Sequence, residues 1–335
     1  MQKFLVIQTA FIGDVVLTTG IIEKLHHFFP EAEIDFLVRK GNEALLANHP
    51  FLHEVLIWNK GKNKYGNLFA LLKKIRAHKY DKIINVQRFA ATGFLTAFSN
   101  AKETIGFDKN PWSFFFNKKI KHQISTIKNP IHEIERNNLL IEDFTNSVAA
   151  KPKLYPSKNN YDSVQSLQNQ RYVCIAPASV WFTKQYPKQK WISFISKLPS
   201  SINIYLLGSP SDKILCEEIK KASDNPNIFN LAGKLNFLES AALQKDALMN
   251  YVNDSAPLHF ASAVNAPVTA VYCSTIPAFG FGPLSDESFI VEKNEPLYCR
   301  PCGLHGYKAC PQKHFKCALD ISDEQLLITV SKKLT

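Results

Sequence analysis

Short apolar runs alternate with longer amphipathic segments along the first third of the chain. KFLVIQ precedes VVLTTGIIEKLHHFF, EIDFLVR precedes GNEALLANHP, and EVLIWN precedes GNLFALLKKIRAHK. DKIINVQ, FAATGFLTAFS and ETIGF continue the pattern. Short β-branched runs predict strands, and apolar residues at helical spacing predict helices. Such alternation predicts βαβ units built around a parallel sheet.

The alternation restarts after a break. HEIERNNLLIEDF predicts a helix, and the polar, proline-bearing KPKLYPSKNNYDS predicts a linker. Strands are then predicted at RYVCIAPAS, INIYLLGS, NIFNLAG, ALMNYVND and PVTAVYC, with helices at KQKWISFISKL, SDKILCEEIKKA, FLESAALQK and SAPLHFASAV. SDEQLLITVSKK predicts a terminal helix.

The pattern predicts an α/β protein with two Rossmann-like, doubly wound domains facing a cleft. We expect an N-terminal domain over 1–150, a linker over 151–165, a C-terminal domain over 166–320 and a helix over 321–335. Ligands of open α/β sheets bind outside the carboxyl ends of the strands, which favours the cleft as the site.

Composition supports this organisation. The chain has 335 residues, of which 45% are hydrophobic and 21% charged, as is typical of a globular protein with a sizeable core. Asp14 interrupts the N-terminal apolar run, which argues against a signal peptide. No apolar run is long enough to cross a bilayer. We predict a cytoplasmic protein, with contact to a membrane surface left open.

The net charge of +11 favours anionic partners. Between Lys60 and Lys82 there are eight Lys or Arg residues and one acid, Asp81. This run is either a solvated helix face or a surface for anionic lipid. No nucleic-acid-binding motif is found, so a nucleic-acid partner is not predicted.

Asp14 follows the first predicted strand at the start of the first predicted helix. It is either a helix cap, favoured by the helix dipole, or a general base. A dinucleotide fingerprint requires three glycines, and TAFIGD has only Gly13.

Two later segments also join a strand to a helix. In APASVWFTKQYPKQKW, backbone amides and Lys184 suit a phosphate, although an ordinary surface lysine is equally compatible. In VNDSAPLHFASAV, Asp254 and Ser255 precede a helix whose free N–H groups also suit a phosphate. His259 there either supports the helix start or contacts phosphate.

These stretches, with NLAGK at 230–234 and NDSAPLHFASAVNAPVTAVYCST at 253–275, resemble glycosyltransferase family 9, the heptosyltransferases of the lipopolysaccharide inner core. The motifs keep their order through essentially the whole chain. The resemblance implies a GT-B fold, a metal-independent inverting glycosyltransferase, a donor nucleotide on the C-terminal domain and an acceptor on the N-terminal domain.

The resemblance also implies roles for individual residues. Asp14 matches the acceptor-activating base, and Lys184 the lysine that contacts phosphate. The other donor-binding candidates are Ser179, Thr183, Asp212, Leu235, Asp254, Ser255 and His259. Ala178 and Ala256 stand where the family often has glycine, which leaves the donor specificity open.

A diphosphate leaving group can be neutralised by a lysine, helix N-termini and hydroxyls, so no catalytic cofactor is expected. The partners expected are an ADP-sugar donor and a lipopolysaccharide core acceptor. In PWSFFFNKKIKH, Trp112 and Phe114–Phe116 stand beside Lys118, Lys119 and Lys121. This stretch is either packed in the protein or docked at an anionic membrane surface.

Four cysteines near the C-terminus follow the spacing C-x2-C-x7-C-x6-C: Cys299, Cys302, Cys310 and Cys317. A structural zinc site, reduced thiols and disulfides all remain open, with His305 and His314 as spare zinc ligands.

We therefore predict transfer of a heptose from ADP-heptose to the lipopolysaccharide inner core. One alternative is transfer of another nucleotide-linked sugar to a different surface glycan. The other is a non-catalytic two-domain protein that binds a nucleotide or sugar.

Overall fold

The computed structural model describes residues 1–61 and 63–334, except for the side chains of Lys332 and Leu334. Lys62, in the basic run, and Thr335, in the predicted terminal helix, lie outside the described residues. The chain divides into two compact units. Unit 1 comprises Met1–Ser125 and Ile131–Tyr155, and unit 2 comprises Thr126–Pro130 and Pro156–Thr335.

Unit 1 contains a six-stranded parallel sheet in the order β3-β2-β1-β4-β5-β6. Its strands are β1 (Lys3–Ile7), β2 (Glu33–Arg39), β3 (Glu54–Trp58), β4 (Lys82–Asn85), β5 (Glu103–Phe107) and β6 (Lys118–Ile120). Its helices are α1 (Ile12–Phe28), α2 (Lys64–His78), α3 (Ala90–Ala97) and α4 (Glu133–Asn138). Short 3-10 turns lie at Glu43–Leu46, Ser113–Phe115 and Glu142–Phe144.

Unit 2 contains a second six-stranded parallel sheet, in the order β12-β11-β10-β7-β8-β9. Its strands are β7 (Tyr172–Ala176), β8 (Asn203–Leu206), β9 (Ile228–Asn230), β10 (Asn250–Asn253), β11 (Val268–Tyr272) and β12 (Ser288–Glu292). Its helices are α5 (Lys158–Val164), α6 (Lys188–Ser196), α7 (Lys213–Ala222), α8 (Phe237–Lys245), α9 (Ala256–Ala263), α10 (Lys316–Leu319) and α11 (Asp323–Leu334). Short 3-10 turns lie at Gln165–Leu167, Phe182–Lys184, Pro210–Asp212 and Pro277–Phe279.

The central strands carry continuous apolar runs because both faces of each sheet are covered. Every residue of β7 and β11 is buried. Apolar side chains from these strands pack into two clusters of unit 2. The predicted fold class of doubly wound α/β units is therefore confirmed. No helix in the described part of the chain combines the length and the apolarity that crossing a bilayer requires.

Several elements differ from the predictions. β6 and β12 are edge strands and were not predicted; β6 has a single apolar residue, and the apolar run of β12 is only Phe289–Val291. The helix predicted over HEIERNNLLIEDF is shorter, because α4 ends at Asn138. The side-chain oxygen of Asn138 accepts a hydrogen bond from the Lys24 ammonium at 2.7 Å. Part of the predicted linker is helical, since Ser157 and Asn160 form a capping box that starts α5.

Candidate functional site

The carboxyl edge of the unit 2 sheet brings together two of the predicted donor-binding residues. Asp254 directly follows β10, and Lys184 ends a 3-10 turn before α6. The Lys184 ammonium lies 2.6 Å from Oδ2 of Asp254, which also accepts the Thr275 hydroxyl at 2.7 Å. The two charged side chains are only 14% and 9% exposed, so the pair is largely withdrawn from water. The edge thus holds a cation beside the start of α9.

Asn253 supports this edge, and the sequence analysis did not single it out. Its side chain is fully buried. The side-chain NH₂ donates to the Pro177 carbonyl at 2.9 Å, and Oδ1 accepts the Tyr186 N–H at 2.8 Å. The side chain thereby ties both ends of the Lys184-bearing segment to β10. A polar residue at the last position of a buried strand, just before Asp254, was the available signal.

Thr183 holds the same segment from the other side. Its side chain is buried, and its oxygen accepts the Tyr307 N–H at 2.7 Å and the Ser274 hydroxyl at 3.0 Å. Its backbone N–H donates to the Tyr307 carbonyl at 3.1 Å. These contacts give the predicted donor-binding residue a supporting role, in which it anchors the loop that carries Lys184.

Gly306 packs directly against this loop. Its φ is +75°, and a Cβ there would lie 2.9 Å from Thr183 Oγ1 and 3.0 Å from Lys184 Cγ. Only glycine combines that backbone conformation with such a close approach. Gly306 belongs to the stretch from Cys299 to Cys317, here called the Cys-rich segment. This segment therefore packs against the Lys184 side chain.

Arg300 fastens the Cys-rich segment to the end of β11. Its guanidinium donates to the carbonyls of Cys273 at 2.8 Å and Thr275 at 2.7 Å, and it pairs with Glu292 at 2.5 Å. The Cys302 N–H donates to the Ser274 carbonyl at 2.8 Å. The sequence analysis missed Arg300, because only the folded chain brings it to these carbonyls.

Three other predicted donor-binding residues belong to the same segments. Ser179 lies in the loop after β7, where its carbonyl accepts the Gln185 amide at 2.6 Å. Ser255 precedes α9, and its hydroxyl donates to the Asn253 carbonyl at 3.3 Å. His259 is buried in α9, with its ring 6.3 Å from that of Phe281. Its burial is that of a helix-packing residue.

Asp212 and Leu235 lie beyond β8 and β9, at the same edge of the sheet. Asp212 accepts the Ser209 N–H at 2.8 Å and the Ser209 hydroxyl at 2.7 Å, so its carboxylate caps a short 3-10 turn. Leu235 is half-buried against the core. Gly233, with φ +74°, brings the two loops into contact, since a Cβ there would lie 2.8 Å from Pro210 Cα.

All seven cysteines lie within the described residues, and all are free thiols. Cys299 Sγ lies 3.8 Å from His314 Nε2. Burial, followed by the neighbouring thiols of Cys299 and Cys310, raises the pKa of Cys302, and burial raises that of Cys317 to about 12. Among the described residues, however, the three potential metal ligands whose atoms all lie within 4.8 Å of one another are found in unit 1 and not among these cysteines.

In unit 1, Asp14 occupies the first turn of α1, and its Oδ2 accepts the Phe11 N–H at 3.2 Å. The helix-capping interaction is thus formed. Burial, and then the positive charge of Arg88, lower the pKa of Arg136 to about 10, whereas the negative charge of Asp14 raises it. A capping aspartate can still act as a base, because each carboxylate has further acceptor sites.

Several cations accompany Asp14 at the carboxyl edge of this sheet. Beyond β3, the Lys60 ammonium donates to the carbonyl and hydroxyl of Thr9, at 2.9 and 3.1 Å. Burial and then the positive charges of Arg39 and Lys64 lower the pKa of Lys60. The concentration of positive charge suits an anionic ligand.

The chain matches the family model "Glycosyltransferase family 9 (heptosyltransferase)" over residues 68–307. It is 29% identical to "Lipopolysaccharide heptosyltransferase 3" of Escherichia coli over 277 residues, which cover 79% of this chain and 82% of that protein.

Two solved structures share the fold. One, described as "Structure of E. coli ADP-heptose lps heptosyltransferase II", has a TM-score of 0.80 at 19% identity and covers 100% of both chains. The other, the glycosyl transferase family 9 protein from Veillonella parvula DSM 2008, has a TM-score of 0.85 at 19% identity and covers 99% of this chain and 97% of that one. The GT-B fold expected from the sequence is confirmed, and the match of the family model over most of the chain shows that this protein belongs to glycosyltransferase family 9, the heptosyltransferase family.

Proposed function

We propose that this protein transfers a heptose, with inversion, from ADP-heptose to the inner core of lipopolysaccharide. The observation that carries the proposal is the Lys184–Asp254 pair of 2.6 Å beside the N-terminus of α9. A largely buried cation next to the N-terminus of a helix suits a sugar diphosphate. The names of the relatives, a lipopolysaccharide heptosyltransferase and an ADP-heptose heptosyltransferase, support the choice of sugar, nucleotide and acceptor.

Unit 2 would bind the donor. Lys184 and the backbone N–H groups of Ser255 and Ala256, at the start of α9, would neutralise the diphosphate as the glycosidic bond to phosphate breaks. Asp254 would hold Lys184 in place and accept a sugar hydroxyl through its second oxygen, with the Ser255 hydroxyl beside it. Asp212 and Leu235, on the loops after β8 and β9, would contact the ribose and the base. Ser179, Thr183 and His259 would support these loops and α9.

Unit 1 would bind and activate the acceptor. Asp14 would remove the proton from the attacking hydroxyl as that oxygen bonds to the anomeric carbon, and the diphosphate would leave with the electron pair. The N-terminus of α1 favours a negative charge at this position. Arg39, Lys60 and Arg88 would attract the negative charges of a lipopolysaccharide core.

No catalytic metal is required in this scheme, because the lysine and the helix N–H groups supply the positive charge. A structural zinc ion on Cys299, Cys302, Cys310 and Cys317 remains a proposal. The proximity of Cys302 to the Cys299 and Cys310 thiols supports it. The ligand atoms would have to close further around an ion, since no three of them lie within 4.8 Å of one another.

An aromatic surface on unit 1 supports an acceptor that is embedded in a membrane. We define it by the rings of Phe69, Phe94, Phe98, Trp112, Phe114 and Phe115, whose neighbouring centroids lie 4.2–5.9 Å apart. Phe69, Phe114 and Phe115 are 60%, 66% and 50% exposed, and Lys119 and Lys121 nearby in the chain are exposed. Phe116, in contrast, is buried, so that part of the stretch packs in the core.

Aromatic rings with basic neighbours suit the interface of an anionic bilayer. The free thiols suit a reducing compartment. We therefore propose the cytoplasmic side of the inner membrane as the place of reaction.

The test combines binding with turnover. In the first experiment, the melting temperature of the purified protein is measured with ADP, UDP, GDP or CDP in the presence of a chelator. In the second, a fresh sample is incubated with ADP-heptose and a heptose-free lipopolysaccharide core. We expect selective stabilisation by ADP and a product heavier by one heptose residue. Stabilisation by UDP or GDP would change the sugar, and binding without product under all conditions would favour a non-catalytic protein.

A further inference from the structure

Two carboxylates and two imidazoles meet at the amino-terminal edge of the unit 1 sheet, opposite the edge that carries Asp14. Asp35 on β2 and Glu54 on β3 are register partners, so their side chains lie on the same face. His53 immediately precedes β3, and His78 is the last residue of α2. One ligand atom from each of Asp35, Glu54 and His78 lies within 4.8 Å of the others.

The hydrogen bonds of His78 leave one contact unexplained. Its Nδ1 lies 2.8 Å from the Lys74 carbonyl, and a carbonyl only accepts, so Nδ1 carries a proton. In the neutral ring, Nε2 then presents a lone pair to the Glu54 carboxylate, 3.1 Å away. Two acceptors at that distance repel each other. Either a second proton on the ring or a cation between the two groups relieves the repulsion.

The spacing suits a cation. His78 Nε2 and Glu54 Oε2 are 3.1 Å apart, and His53 Nδ1 and Asp35 Oδ1 are 3.0 Å apart. Ligands at about 2.0–2.1 Å from a tetrahedral zinc ion are separated by roughly 3.3 Å. The distance between His78 and Glu54 is therefore close to one edge of such a tetrahedron, and the Asp35 ligand atom lies within 4.8 Å of both. His53 lies outside this set of three and contacts Asp35.

The surroundings also match those of a metal site. The Tyr80 hydroxyl donates to Oδ2 of Asp35 at 2.5 Å, and burial raises the Tyr80 pKa, so the hydroxyl stays protonated. The Lys74 carbonyl fixes the His78 tautomer in the way that outer partners orient metal-binding imidazoles. Asp35 is 2% exposed, whereas the His53 side chain is 53% exposed and leaves a path for entry.

With both imidazoles neutral, the cluster carries a net negative charge, which a bound cation would offset. The ion pair of Lys74 with Glu54 neutralises one carboxylate, and the buried Asp35 carboxylate has no lysine or arginine partner among the described ion pairs. We propose that Asp35, Glu54 and His78 bind one divalent transition-metal ion, with zinc as the best fit to one nitrogen and two oxygen ligands, while His53 orients Asp35 from outside this set. The ion joins β2, β3 and the end of α2.

The test uses the full chain, stripped with a chelator and titrated with Zn²⁺ or Co²⁺. Because the Cys-rich segment is a competing site, the titration is carried out in a Cys299→Ser/Cys310→Ser background. We expect one bound zinc ion per chain and a cobalt spectrum of a four-coordinate site that lacks a thiolate charge-transfer band. His78→Phe keeps the ring that stacks on Tyr80 but removes both nitrogens, and we expect about a tenfold or greater loss of zinc affinity.

His27→Phe, at an exposed histidine, is the matched control and should bind zinc as the parent does. If His78→Phe does not fold, His53→Asn, at a half-exposed ring, replaces it with the same expected loss. Zinc binding that is absent in the Cys299→Ser/Cys310→Ser background, or is unchanged in both histidine variants, would overturn the proposal. So would a doubly protonated His78 ring observed by NMR at neutral pH in the presence of zinc.

Discussion

The Lys184 ammonium and Oδ2 of Asp254 lie 2.6 Å apart in unit 2, and the Thr275 hydroxyl donates to the same oxygen at 2.7 Å. One carboxylate oxygen thus contacts both groups. If Lys184 binds the donor as proposed, the pair would position it beforehand, and less ordering would be needed when a diphosphate binds.

Replacing Lys184 should weaken ADP binding. A hydrogen bond to a charged group contributes about 1.5–3 kcal/mol, so Lys184→Gln should raise the Kd for ADP roughly 10- to 100-fold. Calorimetry measures this change. Lys188→Gln is the control, because Lys188 pairs with Glu218 at 2.9 Å and both are substantially exposed. Unchanged ADP affinity in Lys184→Gln would remove Lys184 from the donor site.

The same substitution should lower stability, since it leaves the buried Asp254 carboxylate without its cation. Adding Asp254→Asn to Lys184→Gln should restore part of the melting temperature but none of the ADP affinity. A double variant that is no more stable than Lys184→Gln would show that the pair is not coupled.

Asp14 has a capping role and a proposed catalytic role, and two variants separate them. An asparagine at this third position of α1 can still accept the Phe11 N–H through its side-chain oxygen. Asp14→Asn should therefore nearly keep the melting temperature and keep the ADP affinity, while kcat falls about 10²- to 10⁴-fold. Asp14→Ala should lose both turnover and stability. If Asp14→Asn turns over at the parental rate, Asp14 serves only as a cap.

Gly306 and Gly303 test how far the Cys-rich segment positions Lys184. Both have positive φ, +75° and +66°, so alanine strains the backbone similarly at each. A Cβ at Gly306 would meet Thr183 and Lys184 within 3.0 Å, whereas at Gly303 it would meet only the Tyr307 ring, at 3.5 Å or more. We expect weaker ADP binding in Gly306→Ala only. Equal losses in the two variants would point to backbone strain alone.

The aromatic surface should bind anionic membranes. Burying one phenylalanine contributes about 1.5–3 kcal/mol, so Phe114→Ser/Phe115→Ser should weaken binding to phosphatidylglycerol vesicles about tenfold or more. Cosedimentation measures the bound fraction. Tyr298→Ser, at an 82% exposed ring of unit 2, is the control. Equal binding to neutral vesicles would argue against an electrostatic contribution, and equal binding by the double variant against the surface itself.

His49 should make the stability of the protein depend on pH. Burial, and then the charges of His26 and Lys153, lower its pKa to about 4. Glu23 lies 3.5 Å away, but its oxygens already bind Lys153 and Tyr155. The unfolded chain takes up a proton below pH about 6.5, whereas the native state does not until about pH 4, so the free energy of unfolding should fall as pH decreases across this window.

Between pH 6.5 and about pH 4, His49 alone should lower the free energy of unfolding by about 3 kcal/mol. His49→Phe should flatten the dependence, and His27→Phe should not. Denaturant unfolding at several pH values provides the measurement. A parental slope retained in His49→Phe would assign the effect to other groups.

The sequence by itself determined the two α/β units, because the periods of strands and helices are local properties that can be read without knowing the fold. It also indicated Asp14, Lys184 and Asp254 one by one, since each follows a predicted strand. The short helix α5 was missed, because the capping box at Ser157 was read as part of a linker.

Tertiary structure alone decided which of these residues meet. Lys184 and Asp254 are far apart in the sequence, and their pairing depends on β7 and β10 being neighbours in the sheet. The same holds for Arg300, whose guanidinium reaches the carbonyls that follow β11, and for Asp35 and Glu54, which the pairing of β2 with β3 brings to the end of α2 at His78. Strand order results from packing across the whole unit, and the apolar pattern of a single strand does not reveal its neighbours.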